Sequence, residues 1–181
     1  MKNPRSTFIG LLFLFMIPAG LCAQAAPQAQ EKPRPPLPNF VELTAKIGTG
    51  GQPGEGGLSQ LVEKGYKAII NIRAFDEEYD QVGEEKQARQ LGLRYYVVPF
   101  VAKEPSEQQA LAFNALLSAL KDTKVFVHCG GGNRVGSLMM IYMVLEEGMP
   151  LDKAEQKARK VGLRSADLLE FSKQVISRHK K

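Results

Sequence analysis

The chain contains the stretch VFVHCGGGNRVG at residues 125–136, and this stretch decides its fold. Its first three residues are apolar and belong to the predicted strand 124–127, a pattern that is typical of a buried strand. The glycines that follow allow the backbone to turn through conformations closed to other residues. From Gly136 to Glu147 the sequence is apolar nearly all round, which predicts a buried helix. We therefore expect a strand, a tight turn and a core helix.

Strands alternate with helices on both sides of this stretch. Apolar runs bounded by turn residues predict the strands, and apolar residues at helical spacing with capping residues predict the helices. This alternation indicates one α/β domain with a mainly parallel central sheet flanked by helices. The predicted strands are 40–43, 46–49, 67–72, 94–98 and 124–127, and the predicted helices begin near residues 58, 80, 106, 136, 151 and 165.

The turn after the strand has the features of an anion site. Successive backbone amides in a glycine-rich turn form a nest for an anion, and the following helix start adds partial positive charge. Arg134 can complete the ring with a planar fork that matches phosphate oxygens. We expect this loop to bind a tetrahedral oxyanion through His128, Gly130, Gly131, Gly132, Asn133 and Arg134.

Cys129 lies at the base of this predicted nest. The amides, the helix start and Arg134 all favour a thiolate over a thiol. A thiolate next to a bound phosphoryl group is an activated nucleophile, and the same dipoles stabilise the charge of the transition state. His128 is expected to fix the loop geometry rather than to act as an acid. The residues thus predict nucleophilic catalysis by Cys129.

The N-terminus has the layout of a secretory signal peptide. Lys2 and Arg5 precede an apolar run that is too short to span a bilayer, and small residues follow it. We predict a signal peptide at 1–25, a proline-rich linker at 26–38 and the globular domain at 39–181. The protein is then exported to the periplasm or the medium without a stable membrane anchor. A lipoprotein anchored through Cys22 is the lesser alternative.

Composition narrows the function further. The chain has 2 cysteines, and cleavage after residue 25 removes Cys22, so the mature protein has no internal disulfide. Lys and Arg number 24 against 19 Asp and Glu, and the excess is scattered, so nucleic acid is not indicated as a partner. No cluster of His, Cys and carboxylates has metal-ligand spacing. We expect no metal and no organic cofactor.

The residues 128–134 resemble the signature of cysteine-dependent protein tyrosine and dual-specificity phosphatases. Over residues 40–171 the chain resembles more closely the bacterial beta-lactamase-hydrolase-like phosphatase group, with matching stretches at 50–53, 70–73, 127–136 and 162–164. The resemblance implies a protein-tyrosine-phosphatase-like fold. It also implies that Cys129 forms a phosphocysteine intermediate and that Arg134 binds phosphate. The substrate would be a phosphorylated protein or a small phosphate ester.

The chain departs from the tyrosine phosphatase pattern at two places. Four residues separate Cys129 from Arg134 where ordinary tyrosine phosphatases have five, and Val135 stands where they have a serine or threonine. Ser137 is the next hydroxyl. The short spacing is usual in the bacterial group and is also that of rhodanese-type sulfurtransferases, in which the cysteine carries a persulfide.

The general acid is the least defined residue. Phosphatases of this kind use an aspartate on a loop before the cysteine. Asp76, on the loop after a strand end, is the candidate aspartate, and Glu104 and Glu107 are the carboxylates on the expected loop. Two alternatives to a phosphatase stay open at this point: a sulfurtransferase that uses Cys129, and a non-catalytic phosphate-binding module.

Overall fold

The computed structural model describes residues 35–180. The predicted signal peptide (1–25) and residues 26–34 of the predicted linker lie outside the described residues. The strands are β1 (Val41–Glu42), β2 (Ile47–Gly50), β3 (Ala68–Asn71), β4 (Arg94–Val97) and β5 (Val125–His128). The helices are α1 (Gly57–Glu63), α2 (Gln81–Gln90), α3 (Glu107–Ala119), α4 (Asn133–Leu145), α5 (Leu151–Val161) and α6 (Ala166–His179).

The strands form one sheet in the order β1-β2-β5-β3-β4. β2, β5, β3 and β4 run parallel, and only β1 pairs antiparallel, at the edge. The prediction of a mainly parallel central sheet is confirmed. His128 at the end of β5 pairs with Gly50 on one side and Asn71 on the other. The carboxyl ends of the central strands therefore meet beside the predicted loop, where open parallel sheets bind their ligands.

Helices cover both faces of the sheet. Ile69 and Phe126 point into one apolar cluster, which includes residues of α1 and α2. Their neighbours Ile70 and Val127 point into the other cluster, which includes residues of α3, α4, α5 and α6. Side chains on a strand alternate between faces, so a strand buried on both faces reads as a continuous apolar run. This explains why β5 could be identified from composition alone.

The central helix begins earlier than the sequence predicts. α4 starts at Asn133 rather than at Gly136, because Gly132 adopts a left-handed φ of 93° and forms the N-cap. Asn133 and Arg134 therefore belong to the first helical turn. Gly136 has a packing role instead: a Cβ there would lie 2.7 Å from the carbonyl oxygen of Ala158 on α5. α4 is buried nearly all round, as predicted.

Both ends of the described part are tied to the domain by hydrogen bonds. Pro36 and Pro38, which were assigned to the linker, accept hydrogen bonds from the amides of Gly54 and Gly51. At the other end, α6 continues through Arg178 and His179. Both residues contact the Glu107 carboxylate on α3, so this part of the basic C-terminus is not a free tail. None of the helices within residues 35–180 is long and apolar enough to cross a bilayer.

Candidate active site

Cys129 follows β5 directly and faces the start of α4. Its side chain is 2% exposed, and the amide of Gly132 donates a hydrogen bond to its sulfur at 3.1 Å. An amide that donates to sulfur stabilises a thiolate more than a thiol, because the acceptor then carries the negative charge. The predicted nucleophile and the predicted helix start are therefore in direct contact.

The carbonyl groups of the loop are held outward by flanking chain. Gly130 accepts a hydrogen bond from the amide of Gln52 at 3.2 Å, and Gly131 accepts one from the side-chain amide of Asn39 at 3.2 Å. In a trans peptide the carbonyl and the next amide point in opposite directions. The amides of Gly131 and Gly132 consequently face away from these contacts, and that of Gly132 points at the cysteine sulfur. This is the arrangement that an anion nest requires.

The far side of the loop packs against the connection between α5 and α6. A Cβ on Gly132 would lie 2.7 Å from the carbonyl oxygen of Val161, so this position requires glycine for space as well as for its positive φ. The side-chain oxygen of Asn133 accepts hydrogen bonds from the amides of Arg164 and Ser165 at 2.8 and 3.2 Å. Asn133 thus shapes the loop. The stretch 162–164, which the family resemblance includes, packs against this loop.

Arg134 is fixed in the first turn of α4 by three acceptors. Its Nη2 donates to Oε2 of Glu77 at 2.8 Å, and its Nη1 donates to Oε1 of the same carboxylate and, at 3.0 Å, to the carbonyl of Phe100. Burial alone would lower the pKa of Arg134, but the hydrogen bond with Glu77 and the charge of Cys129 raise it. The guanidinium also lies beside the loop residue that follows Cys129, since a Cβ on Gly130 would be 3.9 Å from Nη2 of Arg134. One edge of the predicted fork therefore binds Glu77, and the group stays charged beside the cysteine.

Glu77 is a site residue that the sequence reasoning missed. It ends the tight turn that begins at Ala74, whose amide donates to its Oε1 at 2.7 Å, and Arg73 donates to its Oε2 at 3.1 Å. Burial raises the pKa of Glu77, but the hydrogen bonds from Arg134 and Ala74 and the charges of both arginines lower it to about 2. The only signal in the sequence is the spacing of four between Arg73 and Glu77, which is common on any surface.

Replacing Glu77 with glutamine is expected to lower kcat/KM for a phosphate ester by roughly 10- to 100-fold, because small misplacements of a catalytic group have effects of that size. The amide keeps the shape of the side chain but cannot hold both terminal nitrogens of Arg134 as acceptors. Steady-state kinetics would measure the loss. Glu78→Gln is the matched control, since Glu78 is an exposed neighbour whose side chain makes no hydrogen bond within the described residues. Equal activity in the two variants would contradict the assignment.

The same carboxylate gives an acid-stability prediction. A carboxyl whose pKa is lowered on folding stabilises the folded state above its unfolded value of about 4.5, and this contribution is lost as the pH falls towards 2. Glu77→Gln should therefore have a lower denaturation midpoint than the parent at pH 7, and the difference should shrink as the pH falls through that window. Urea denaturation at several pH values would measure it. A constant difference would show that the pair does not titrate as described.

His128 is fully buried on the opposite side of the sheet from Cys129, stacked on Phe126 with ring centroids 5.9 Å apart. Its Nε2 lies 2.9 Å from Oε1 of Glu84, whose side chain is 6% exposed. Burial raises the pKa of Glu84, but His128 and the hydrogen bonds from Gln52 and Tyr95 lower it below its ordinary value. His128 is thus a buried anchor of the loop, but its ring lies on the opposite side of the sheet from Cys129, so the prediction that it also binds the oxyanion is wrong. Glu84 was not foreseen, because it lies in a predicted polar helix.

The candidate acids occupy different environments. Asp76 lies at the tip of the turn between Ala74 and Glu77, exposed and without a hydrogen bond of its side chain to any described residue. Glu104 is likewise exposed on the loop before α3. Glu107 is engaged by Arg178 and His179, which lower its pKa. Asp76 stays a prediction: its carboxylate is exposed, and its turn contacts Arg134 through Glu77.

The residues after Arg134 offer no free hydroxyl. Val135 is fully buried. Ser137 is also fully buried, and its oxygen lies 2.8 Å from that of Ser172 on α6 and 3.3 Å from the carbonyl of Leu168. The hydroxyl that tyrosine phosphatases carry after the arginine therefore has no equivalent here. Within residues 35–180 no three His, Cys, Asp or Glu side chains lie together as a group that could hold a metal ion.

The relatives found by sequence similarity are beta-lactamase hydrolase-like proteins, the group that the chain resembles by its motifs. The chain is 31% identical over 119 residues to a beta-lactamase hydrolase-like protein of Xylella fastidiosa, which covers 64% of this chain and 27% of the relative. The chain therefore matches only about a quarter of that longer protein.

Solved structures share the fold. A Shewanella putrefaciens protein assigned to the DUF442 phosphatases has a TM-score of 0.71 at 20% identity, over 80% of this chain and 95% of that one. TpbA of P. aeruginosa, solved as a Cys-to-Ser variant in complex with pTyr, has a TM-score of 0.60 at 17% identity. The match covers 75% of this chain and 81% of TpbA. At these identities the likeness concerns the fold.

The family assignment rests on most of the domain. Residues 39–177 match the family described as DSP-PTPase phosphatase fused to NAD+ kinase. The matched segment contains the whole loop, the Glu77 turn and the Glu84 helix. The chain belongs to this family of protein-tyrosine-phosphatase-like phosphatases.

Proposed function

We propose that this protein hydrolyses phosphate monoesters of the protein tyrosine or dual-specificity type through a phosphocysteine intermediate on Cys129. The observation that carries the proposal is the joint placement of three groups. The Gly132 amide donates to the cysteine sulfur, and Arg134 is held charged beside the same sulfur by Glu77. A thiolate, a helix start and a guanidinium around one point form a site for a dianionic phosphoryl group.

The reaction follows from these positions in two steps. The Cys129 thiolate attacks phosphorus, a sulfur–phosphorus bond forms, and the ester oxygen leaves with its electron pair and takes a proton from the general acid. Water then attacks phosphorus and gives a proton to the conjugate base of the general acid, the sulfur–phosphorus bond breaks, and inorganic phosphate leaves with the thiolate and the acid restored. The loop amides and Arg134 stabilise the charge on the three non-bridging oxygens in both steps. The proton for the leaving group is assigned to Asp76 as a proposal.

The substrate is proposed as a phosphorylated protein or a small organic phosphate. Support comes from the structural relative TpbA, which was solved with pTyr bound. Phosphotyrosine and simple aryl phosphates share a good leaving group, so an aryl phosphate is a suitable first substrate.

A sulfurtransferase is the second candidate, because four residues between Cys129 and Arg134 are also the spacing of rhodanese-type enzymes. The deciding experiment tests the purified protein in parallel with an aryl phosphate and with thiosulfate plus cyanide. Phosphate release well above thiocyanate formation supports the proposal. The reverse order would assign the site to sulfur transfer, and neither activity with tight phosphate binding would indicate a binding module.

We also propose that the protein is exported, because residues 1–25 have the layout of a signal peptide. Expression in a bacterial host should give a mature N-terminus at Ala26 in the periplasm or the medium. N-terminal sequencing of the fractionated protein would measure this. Protein that keeps Met1 in the cytoplasm, or that carries an acyl group on Cys22, would contradict the proposal.

A further inference from the structure

Gln52 belongs to the stretch 50–53, which the family resemblance singles out and which the mechanism above leaves without a role. The side chain is half-buried beside the oxyanion loop, and its backbone amide already binds Gly130. Its Nε2 donates to Oε2 of Glu84 at 2.9 Å, and its Oε1 accepts from Nη1 of Arg73 at 3.0 Å. Both polar atoms of the amide are therefore engaged with charged groups.

Each of these two partners leads to one end of the loop. Glu84 contacts His128, the residue before the nucleophile, at 2.9 Å. Arg73 donates to Glu77 at 3.1 Å, and Glu77 accepts from Arg134 at 2.8 Å. The contacts form a continuous side-chain path from His128 to Arg134, which Gln52 joins in the middle.

The chemistry of the two neighbours explains why a glutamine stands here. One neighbour is a carboxylate and needs a donor, while the other is a guanidinium and needs an acceptor. A primary amide supplies both without adding a charge between them. We propose that Gln52 is a positioning residue that couples the Glu84–His128 pair to the Arg73–Glu77–Arg134 cluster, so that the cysteine end and the arginine end of the loop keep one fixed geometry.

A second path between the two clusters runs through Tyr95, Asn71 and Tyr79, and it reaches the Arg73 guanidinium through the Tyr79 ring, at 3.9 Å from the ring centroid, rather than through a hydrogen bond. Tyr95 donates to Glu84 at 3.1 Å and accepts from the side-chain amide of Asn71 at 2.8 Å. The oxygen of Asn71 accepts from the backbone amide of Arg73 at 2.9 Å, not from its guanidinium. Among the described residues, the guanidinium that orients Glu77 is thus linked to Glu84 by a side-chain hydrogen bond only through Gln52.

The test exchanges the amide of Gln52 and the carboxylate of Glu84. Gln52→Glu keeps the acceptor for Arg73 but sets a second carboxylate against Glu84. This variant should weaken the binding of tungstate, a tetrahedral oxyanion, and lower kcat/KM, each by up to about 100-fold. In the double variant Gln52→Glu/Glu84→Gln an amide donor again faces a carboxylate acceptor. We expect it to regain at least about fivefold over Gln52→Glu alone, as expected for residues that interact directly. Gln87→Met, an exposed glutamine on α2, is the control for Gln52→Met.

The outcomes separate coupling from space filling. The proposal is supported if the double variant regains tungstate affinity and kcat/KM, and if Gln52→Met lowers both while Gln87→Met lowers neither. A double variant whose loss is the product of the two single losses, or a Gln52→Met variant that matches Gln87→Met, would overturn it. Thermal melts confirm folding, and if Gln52→Glu does not fold, the tungstate affinities of Gln52→Met and Gln87→Met decide the proposal.

The activity readout rests on the proposed function, whereas tungstate affinity measured by calorimetry does not. If the parent hydrolyses no phosphate ester, the proposed function fails, and the exchange of Gln52 and Glu84 is still decided by oxyanion affinity. If the parent is active but affinity shows no rescue, only the positioning role fails.

Discussion

Replacing Cys129 with serine is expected to abolish phosphate release while oxyanion binding remains. The serine hydroxyl stays protonated at neutral pH and is a far weaker nucleophile than a thiolate. The Gly132 amide, the start of α4 and Arg134 remain in place and still surround the anion. Turnover of an aryl phosphate and calorimetric binding of tungstate would be measured on the same preparation.

One result would contradict this assignment of Cys129, and another would call for a different variant. Turnover close to that of the parent would place the nucleophile elsewhere. Loss of tungstate binding together with activity would show that the serine variant disrupts the loop, and the comparison would then use Cys129→Ala with the same two measurements.

Replacing Arg134 with lysine is expected to lower phosphate ester hydrolysis by roughly 10²- to 10³-fold, or about 2.7–4 kcal/mol, the scale of one preorganised oxyanion donor. Lysine keeps the positive charge but loses the planar fork. In this site the guanidinium must bind Glu77 and Phe100 on one side and serve the phosphoryl oxygens beside Cys129 on the other. A single ammonium group cannot do both.

Arg89→Lys is the matched control for that variant, because Arg89 is an exposed arginine paired with Glu85 on the surface of α2. Its kinetics should equal those of the parent. Sulfur transfer should depend less on Arg134, since a persulfide carries a single diffuse charge that the amides can largely hold. A parent that turns over thiosulfate far better than any aryl phosphate, with little change in Arg134→Lys, would decide for a sulfurtransferase.

The fold could be predicted because its determinants are local in sequence. The apolar run of β5, the glycines and the apolar helix identify a strand, turn and helix, and the alternating pattern then implies a parallel sheet. The start of α4 was misplaced by three residues because a glycine-rich turn reads as loop. Only the left-handed conformation of Gly132 shows that the helix begins directly after it.

The supporting residues of the site could not be predicted, since they act across long distances in sequence. Glu77 contacts Arg134 over a separation of 57 residues, and Gln52 contacts Glu84 over 32. Each is an ordinary polar residue in a loop or a polar helix until the fold brings it to the end of β5. Glu84 stands out in the structure because one face of α2 is buried. The sequence of α2 has too few apolar residues to predict which face that is. Cys129 and Arg134 were predictable because one turn contains both.

The most direct measurement of the central claim is mass spectrometry of the acid-quenched protein during turnover. The parent is mixed with an excess of aryl phosphate, stopped in acid, digested and analysed for the peptide that contains Cys129. We predict that this peptide gains the mass of one phosphoryl group, and that the adduct is absent in Cys129→Ser. An unmodified cysteine under conditions of steady phosphate release would contradict the phosphocysteine mechanism. In a parallel sample with thiosulfate in place of the aryl phosphate, a peptide that gains a single sulfur atom, with no phosphoryl adduct in the first sample, would contradict the proposed function.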